Sequence, residues 1–177
     1  VLRKFEVGYC NERRDDFTKK ALAAGYKSEF LVSSGLTIDK EGYMFDRFAG
    51  RIMFPIHSLS GQVLGFGGRI IKTDPKAAKY VNTPETEVYH KSRILYGIFQ
   101  ARQAIIKEDR CYLVEGYTDV LSMHESGVEN VVASSGTALT QEQIRLIKRF
   151  TPNITMLYDG DSAGIKASLR GTDMVLE

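Results

Sequence analysis

The sequence predicts an α/β protein: a parallel sheet carrying helices, preceded by a smaller basic part of mixed α+β structure. Three observations carry this. From Cys111 onward, strand-sized apolar runs alternate with amphipathic stretches three times over, and the short joints between them imply right-handed crossovers. Earlier, "RIMFPIHSLSGQVLGFGGRII", which starts at Arg51, holds two β-rich runs around a polar turn. The charge is also divided. Residues 1–110 hold 19 Lys+Arg against 13 Asp+Glu, a net of +6, whereas 111–177 hold 5 against 9, a net of −4. Two domains, 1–110 and 111–177, are therefore expected, the first suited to phosphate or nucleic acid and the second bearing carboxylates.

Taken in order, Asp15 to Leu36 reads as short helices punctuated by glycine. Phe17, Ala21 and Leu22 share a face, Gly25 stops the first helix, Ser28 is placed to cap the next, and Gly35 lies beyond its end. The hairpin follows, with its turn at Ser58 to Gly61. "KTDPKAAKYVNTPETEVYHKSR" has two prolines and little periodicity and reads as one long loop, a kind of segment that tends to be functional. A helix is expected from about Leu95 to Lys107. Then come strand "CYLV", helix "YTDVLSMHES", strand "NVVAS", helix "TQEQIRLIKRF", strand "ITMLY" and helix "SAGIKASLRGTDMVL". Val120, Leu121 and His124 share one side of the first of these helices, and Thr140 with Gln143 has capping-box spacing in front of the second.

Composition excludes several classes. With 43% hydrophobic and 26% charged residues, the 177-residue chain is long enough to bury a core and is not disordered. The longest apolar runs are strand-sized and nothing near Val1 has the layout of a signal peptide, so a cytoplasmic protein with no membrane contact is expected. Cys10 and Cys111 are too far apart for a CxxC site and are expected to be reduced.

The strand order in sequence locates the chemistry. Glu115 follows the first strand of the α/β part and Asp159 the third, so both stand at carboxyl ends, where open parallel sheets gather ligands. Asp161 lies two residues beyond, and Asp119 is one helical turn after Glu115. Carboxylates this close repel by about 4 kcal/mol at an effective dielectric near 20. A hard divalent cation with water or phosphate ligands turns that repulsion into attraction. The plainer alternative makes "DGD" a turn and Glu115 a cap for the helix behind it. "DGDSAG" is no EF-hand, having Ala163 fifth and Arg170 twelfth; "HESGV" lacks a second histidine, "GFGGR" and Lys166 lack the nucleotide-loop glycines, and "ASSGTA" lacks nucleophile-elbow spacing. His57, His90 and His124 are scattered and are not expected to be ligands. In the basic part, Arg51, Arg69, Lys72, Lys76, Lys79, Lys91 and Arg93 are interleaved with Phe66, Tyr80 and Tyr89, the composition of a single-strand or nucleotide groove.

"LVEGYTDVLSMHESGVENVVASSGTALT" and "LYDGDSAG" resemble the toprim fold of primases, topoisomerases and some nucleases, with a glutamate after one strand and DxD after a later one. "RIMFPIHSLSGQVLGFGGRII", "KYVNTPET", "HK" and "LYG" look like the bacterial replicative primases of the DnaG type, and the likeness runs from "FEVGY" to the end of the chain. The resemblance implies a toprim-like parallel sheet with helices on both faces, in a nucleotidyltransferase that copies single-stranded DNA into RNA primers from ribonucleoside triphosphates in the bacterial cytoplasm. It puts catalytic and metal roles on Glu115, Asp159 and Asp161, with Asp119 as a further ligand and Mg²⁺ or Mn²⁺ as the cation. Nucleotide or template contacts fall on Arg51, Arg69, Lys79, Asn82, Lys91 and Tyr117. Zinc is expected only in an N-terminal module, and the replicative helicase only as partner of a C-terminal region; this chain resembles neither and reads as a fragment of the catalytic core. The readings that compete are DNA cleavage by a toprim nuclease or topoisomerase, a dehalogenase-like phosphatase with Asp159 as nucleophile, and a non-catalytic nucleic-acid-binding toprim module.

Overall fold

The computed structural model describes residues 1–72, 77–136 and 138–176. Packing divides the chain into two compact units. The first comprises Val1–Phe5, Ile56–Val63 and His90–Glu177, the second Glu6–Pro55 and Leu64–Tyr89. The expected division at residue 110 falls inside the first unit, because the helix that precedes it buries Ile98, Ala101 and Ile105 against Cys111, Leu113 and Val132 of the parallel sheet.

In the second unit, β1 (Gly8–Cys10) leads to helices α1 (Asp16–Ala23) and α2 (Ser28–Ser33), then to strands β2 (Thr37–Lys40) and β3 (Tyr43–Asp46). The hairpin of β4 (Arg51–His57) and β5 (Val63–Ile70) forms as its β-rich runs predict, and β6 (Tyr80–Asn82) completes a sheet of order β1-β4-β5-β6. β6 lies within the stretch expected to be loop; three residues are too few to show a period of two. Two other expectations need correction. Ser28 is the first helical residue and not the cap, a position held by Lys27 in extended conformation. Leu22 is exposed, and Thr18 takes the inner place beside Ala21. Thr18 is buried because Asp46 receives it: the Asp46 carboxylate accepts from Phe17 N and Thr18 N, both at 2.8 Å, and from Thr18 Oγ1 at 2.6 Å. A carboxylate from β3 thus serves the start of α1, where Asp15 makes no side-chain cap.

In the first unit, α3 (Ile98–Glu108) starts three residues later than expected, because Gly97 holds a left-handed φ of 82° and breaks the run from Leu95. Strand β7 (Cys111–Val114), helix α4 (Tyr117–Glu125), β8 (Val131–Ala133), α5 (Gln141–Lys148), β9 (Ile154–Met156) and α6 (Ser162–Leu176) follow in the expected alternation. The sheet is parallel, of order β8-β7-β9, so β7 is central. β9 is two residues shorter than expected, although Leu157 N still donates to Leu113 O at 2.9 Å. Leu95, Ile98, Ala101, Ile105, Cys111, Leu113, Val132 and Ile147 form the buried core. Among the described residues no helix is long and apolar enough to cross a membrane.

Candidate carboxylate edge and basic strand

The carboxyl ends of the parallel strands bring Glu115 and Asp159 together. Glu115 leaves the end of central β7, and its Oε1 accepts from Asp159 N at 3.0 Å. Gly164, on the first turn of α6, makes this approach possible: a Cβ there would collide with the Asp159 carbonyl and come within 3.0 Å of Glu115 Oε1. The Asp159 carboxylate is exposed and has no hydrogen bond or ion pair among the described residues. Ser135 N, beyond β8, donates to the Glu115 carbonyl at 3.0 Å. The Tyr158 phenol is raised above its ordinary value by burial, lowered by its hydrogen bond with Ser134, and raised by the Glu115 charge. Since β8 and β9 flank β7, the Ser134–Tyr158 pair spans the strand end that carries Glu115.

The other two acids have local tasks. Asp161 Oδ1 accepts from Ala163 N at 3.0 Å and Gly164 N at 2.7 Å, closing the start of α6. Asp119 Oδ2 accepts from Gly116 N at 2.9 Å, the half of a capping box that a glycine cap permits, and this fixes the turn immediately after Glu115. The cap that the plainer reading gives to Glu115 is not there: Glu115 accepts from Asp159 N, and Asp119 and Asp161 serve the helix starts. Among the described residues no group of three or more His, Cys, Asp and Glu forms a metal cage. The donors nonetheless fit a hard cation shared with substrate: Mg²⁺ is usually held by one or two carboxylates plus phosphate oxygens and water, and Glu115 with Asp159 offers two.

The second unit sorts the basic residues onto two faces. On β5 and β6, Arg69 pairs with Tyr80 and Gly67 with Asn82, so Arg69, Tyr80 and Asn82 share one face. Arg69 stands 5.6 Å from the Tyr80 ring centroid, a cation–π contact. Lys79, just before β6, is exposed. Arg51 takes the opposite face, under Gly68: it is only 8% exposed, and its Nη1 donates to Gly68 O, Ala78 O and Lys79 O at 3.3, 3.0 and 3.4 Å. Lys72 pairs with Glu12 at 2.7 Å, and Lys76 lies outside the described residues.

Lys91 belongs to the first unit, on the 3-10 helix Lys91–Arg93. That helix is held by Gln143, fully buried, whose Nε2 donates to Lys91 O at 3.0 Å and Ile94 O at 2.8 Å. Tyr117 is a core residue, 2% exposed and edge-on to Tyr96 at 4.8 Å. The sequence points to Gln143 only as part of a local capping box, and it does not single out Gly164, Tyr158 or Ser134. A glycine inside a helical pattern was the available sign for Gly164; the distant bonds of the other three span 24 residues or more and leave no local pattern.

Two family patterns match the chain, one described as "DNA primase catalytic core, N-terminal domain" over residues 1–102 and one as "Toprim-like" over residues 112–177. The chain is 40% identical to the DNA primase of Clostridium acetobutylicum and 42% identical to that of Deinococcus radiodurans, covering 100% and 99% of itself but 29% and 31% of those proteins. It thus spans about a third or less of the curated relatives it matches. Among solved structures it is similar to the RNA polymerase domain of Mycobacterium tuberculosis primase DnaG, with a TM-score of 0.88 and 39% identity over 97% of this chain and 58% of that one. The Aquifex aeolicus primase, comprising zinc-binding and RNA polymerase domains, gives 0.91 and 38% over 99% and 43%. A DnaG primase catalytic domain bound to single-stranded DNA gives 0.88 and 36% over 99% and 54%.

Proposed function

Because the chain belongs to the DNA primase catalytic core family, we propose that it is the polymerising core of a DNA primase, making RNA primers on single-stranded DNA from ribonucleoside triphosphates. The observation that carries this is the carboxylate edge itself: Glu115 accepts from Asp159 N at 3.0 Å on adjoining strand ends, and the Asp159 carboxylate has no partner among the described residues. The toprim primases depend on divalent metal in general; here we assign Mg²⁺ or Mn²⁺ to Asp159 and Glu115, with Asp161 alongside. When bound, such a cation neutralises phosphate charge as a 3′-hydroxyl attacks an α-phosphate and pyrophosphate leaves.

The chain's own residues orient the reactants. Asp159 N–H holds one oxygen of Glu115, leaving the other to face the ligand, and Asp119 steadies the Gly116 turn behind it. Asp119 is thereby proposed as a support for the ligands. Arg69, Lys79 and Asn82 in the second unit are assigned to template or triphosphate oxygens, Tyr80 offers a ring on which a base can stack, and Lys91 in the first unit is separately assigned to a phosphate. Tyr117 supports the start of α4 from within the core. The division into 1–110 and 111–177 is proposed as one of inheritance and not of packing, because the two family patterns meet between residues 102 and 112. A cytoplasmic location and an encounter with a replicative helicase through a region outside this chain belong to the same proposal. DNA cleavage and the phosphatase reading are not favoured, since neither accounts for the basic strand or for the match over residues 1–102.

The test is primer synthesis by the Clostridium acetobutylicum primase with this chain in place of its own matching segment. The chimera is expected to prime a single-stranded template, and Asp159→Asn in it to lower the rate by at least about a hundredfold, on the scale of losing one electrostatic stabiliser. Undiminished priming by that variant would remove Asp159 from the site.

A further inference from the structure

Arg51 is a buried cation with no carboxylate against it among the described residues; burial alone draws its guanidinium below the ordinary arginine value. A buried charge needs compensation, and backbone carbonyls provide it. Its stem passes so close under β5 that a Cβ at Gly68 would meet Arg51 Cδ at 3.1 Å and Phe48 Cδ1 at 2.5 Å. Its Nη1 then reaches two consecutive carbonyls, Ala78 O and Lys79 O. Lys79 O is held from a second side by Ile70 N at 3.0 Å. The next residue, Tyr80, lies opposite Arg69. The guanidinium thus stitches the segment before β6 to β5 from below, while the Arg69–Tyr80 pair takes the opposite face and Lys79 is exposed.

We propose that Arg51 is a positioning residue for nucleic-acid binding: it sets the backbone at Ala78 and Lys79 so that Lys79 meets the strand's phosphates, and it does not meet them itself. The proposal rests on the primase reading of the basic strand. Arginine suits the task because one planar, weakly hydrated group can serve several carbonyls at once, which a lysine ammonium does less well.

The test is the salt dependence of oligo(dT) binding to this chain, followed by fluorescence anisotropy from low to moderate KCl. Losing one phosphate contact on a single strand lowers the slope of log K against log salt by about 0.7. Lys79→Ala is expected to show that loss, Arg51→Met to show the same loss, and the double variant to show no more than either. Arg51→Lys is expected to lie between Arg51→Met and the parent, with faster amide exchange at Ile70 in both Arg51 variants. Slopes that add in the double variant would make Arg51 a phosphate contact and overturn the proposal while leaving the basic strand in place. A parental slope in Arg51→Met would reduce Arg51 to a fold support. A parental slope in Lys79→Ala would overturn the reading of the basic strand, and this inference with it. Should Arg51→Met fail to fold, Arg51→Lys with its double variant decides between the same outcomes.

Discussion

Gly164 shows how much the site depends on one missing methyl group. Its Cα lies where a Cβ would strike the Asp159 carbonyl, so Gly164→Ala must push Asp159 away from Glu115. The variant is expected to fold, since alanine is the better helix former by about 1 kcal/mol, yet to lose most of its affinity for Mn²⁺ by calorimetry. His124 makes a different demand. Its side chain is fully buried, neither ring nitrogen has a hydrogen-bond partner among the described residues, Phe5 lies edge-on at 4.7 Å, and Glu129, paired with Lys4 at 2.9 Å, is 3.9 Å from Nδ1. Burial first, and Lys4 next, lower its pKa from 6.5 to about 4. The unfolded chain therefore binds this proton more readily, and stability present above pH 6.5 is lost as the pH falls towards 4. That loss amounts to about 3 kcal/mol. Urea melts at pH 7 and pH 4 should show His124→Leu losing about 3 kcal/mol less than the parent; parallel losses would contradict it. In the sequence, the placing of Glu115 and Asp159 at the ends of parallel strands was legible. The buried roles of Arg51 and Tyr117 were not, because their residue types are equally at home on a phosphate-binding surface.

Among the elements, α5 links local and distant order. Its Thr140–Gln143 capping box is visible in the sequence, and the structure contains it, with Gln143 N donating to Thr140 Oγ1 at 3.2 Å and Thr140 N to Gln143 Oε1 at 3.2 Å. Both side chains also reach back to the segment that carries Lys91, Thr140 Oγ1 to Ser92 O at 2.5 Å and Gln143 to Lys91 O and Ile94 O. Nothing local to α5 announces those bonds. Gln143→Leu would leave two half-buried carbonyls without their amide partner, at a cost of up to about 1–3 kcal/mol each, so it is expected to lower the urea midpoint and to weaken oligo(dT) binding as Lys91 shifts. An unchanged midpoint would show that water replaces the amide without cost. The regular α/β alternation was legible because helices of eight residues or more show their period, whereas β1, β2, β3 and β6, at three or four residues each, do not.

At the scale of the molecule, the charge division seen in the sequence maps onto chemistry more faithfully than onto packing. The compact units interleave along the chain, with Ile56–Val63 from the hairpin belonging to the unit that contains the parallel sheet. The acids of the site lie in that unit, whereas Arg69, Lys79 and Asn82 lie in the other. The central claim is that the carboxylate edge holds a divalent cation together with nucleotide phosphates. Its most direct test is calorimetric titration of Mn²⁺ into this chain in the presence of a non-hydrolysable ribonucleoside triphosphate, beside Asp159→Asn and Glu115→Gln. Saturable binding that falls at least about tenfold in each variant, 1.4 kcal/mol or more, is the predicted result. Binding of equal strength in parent and variants, or none in the parent, would contradict the account.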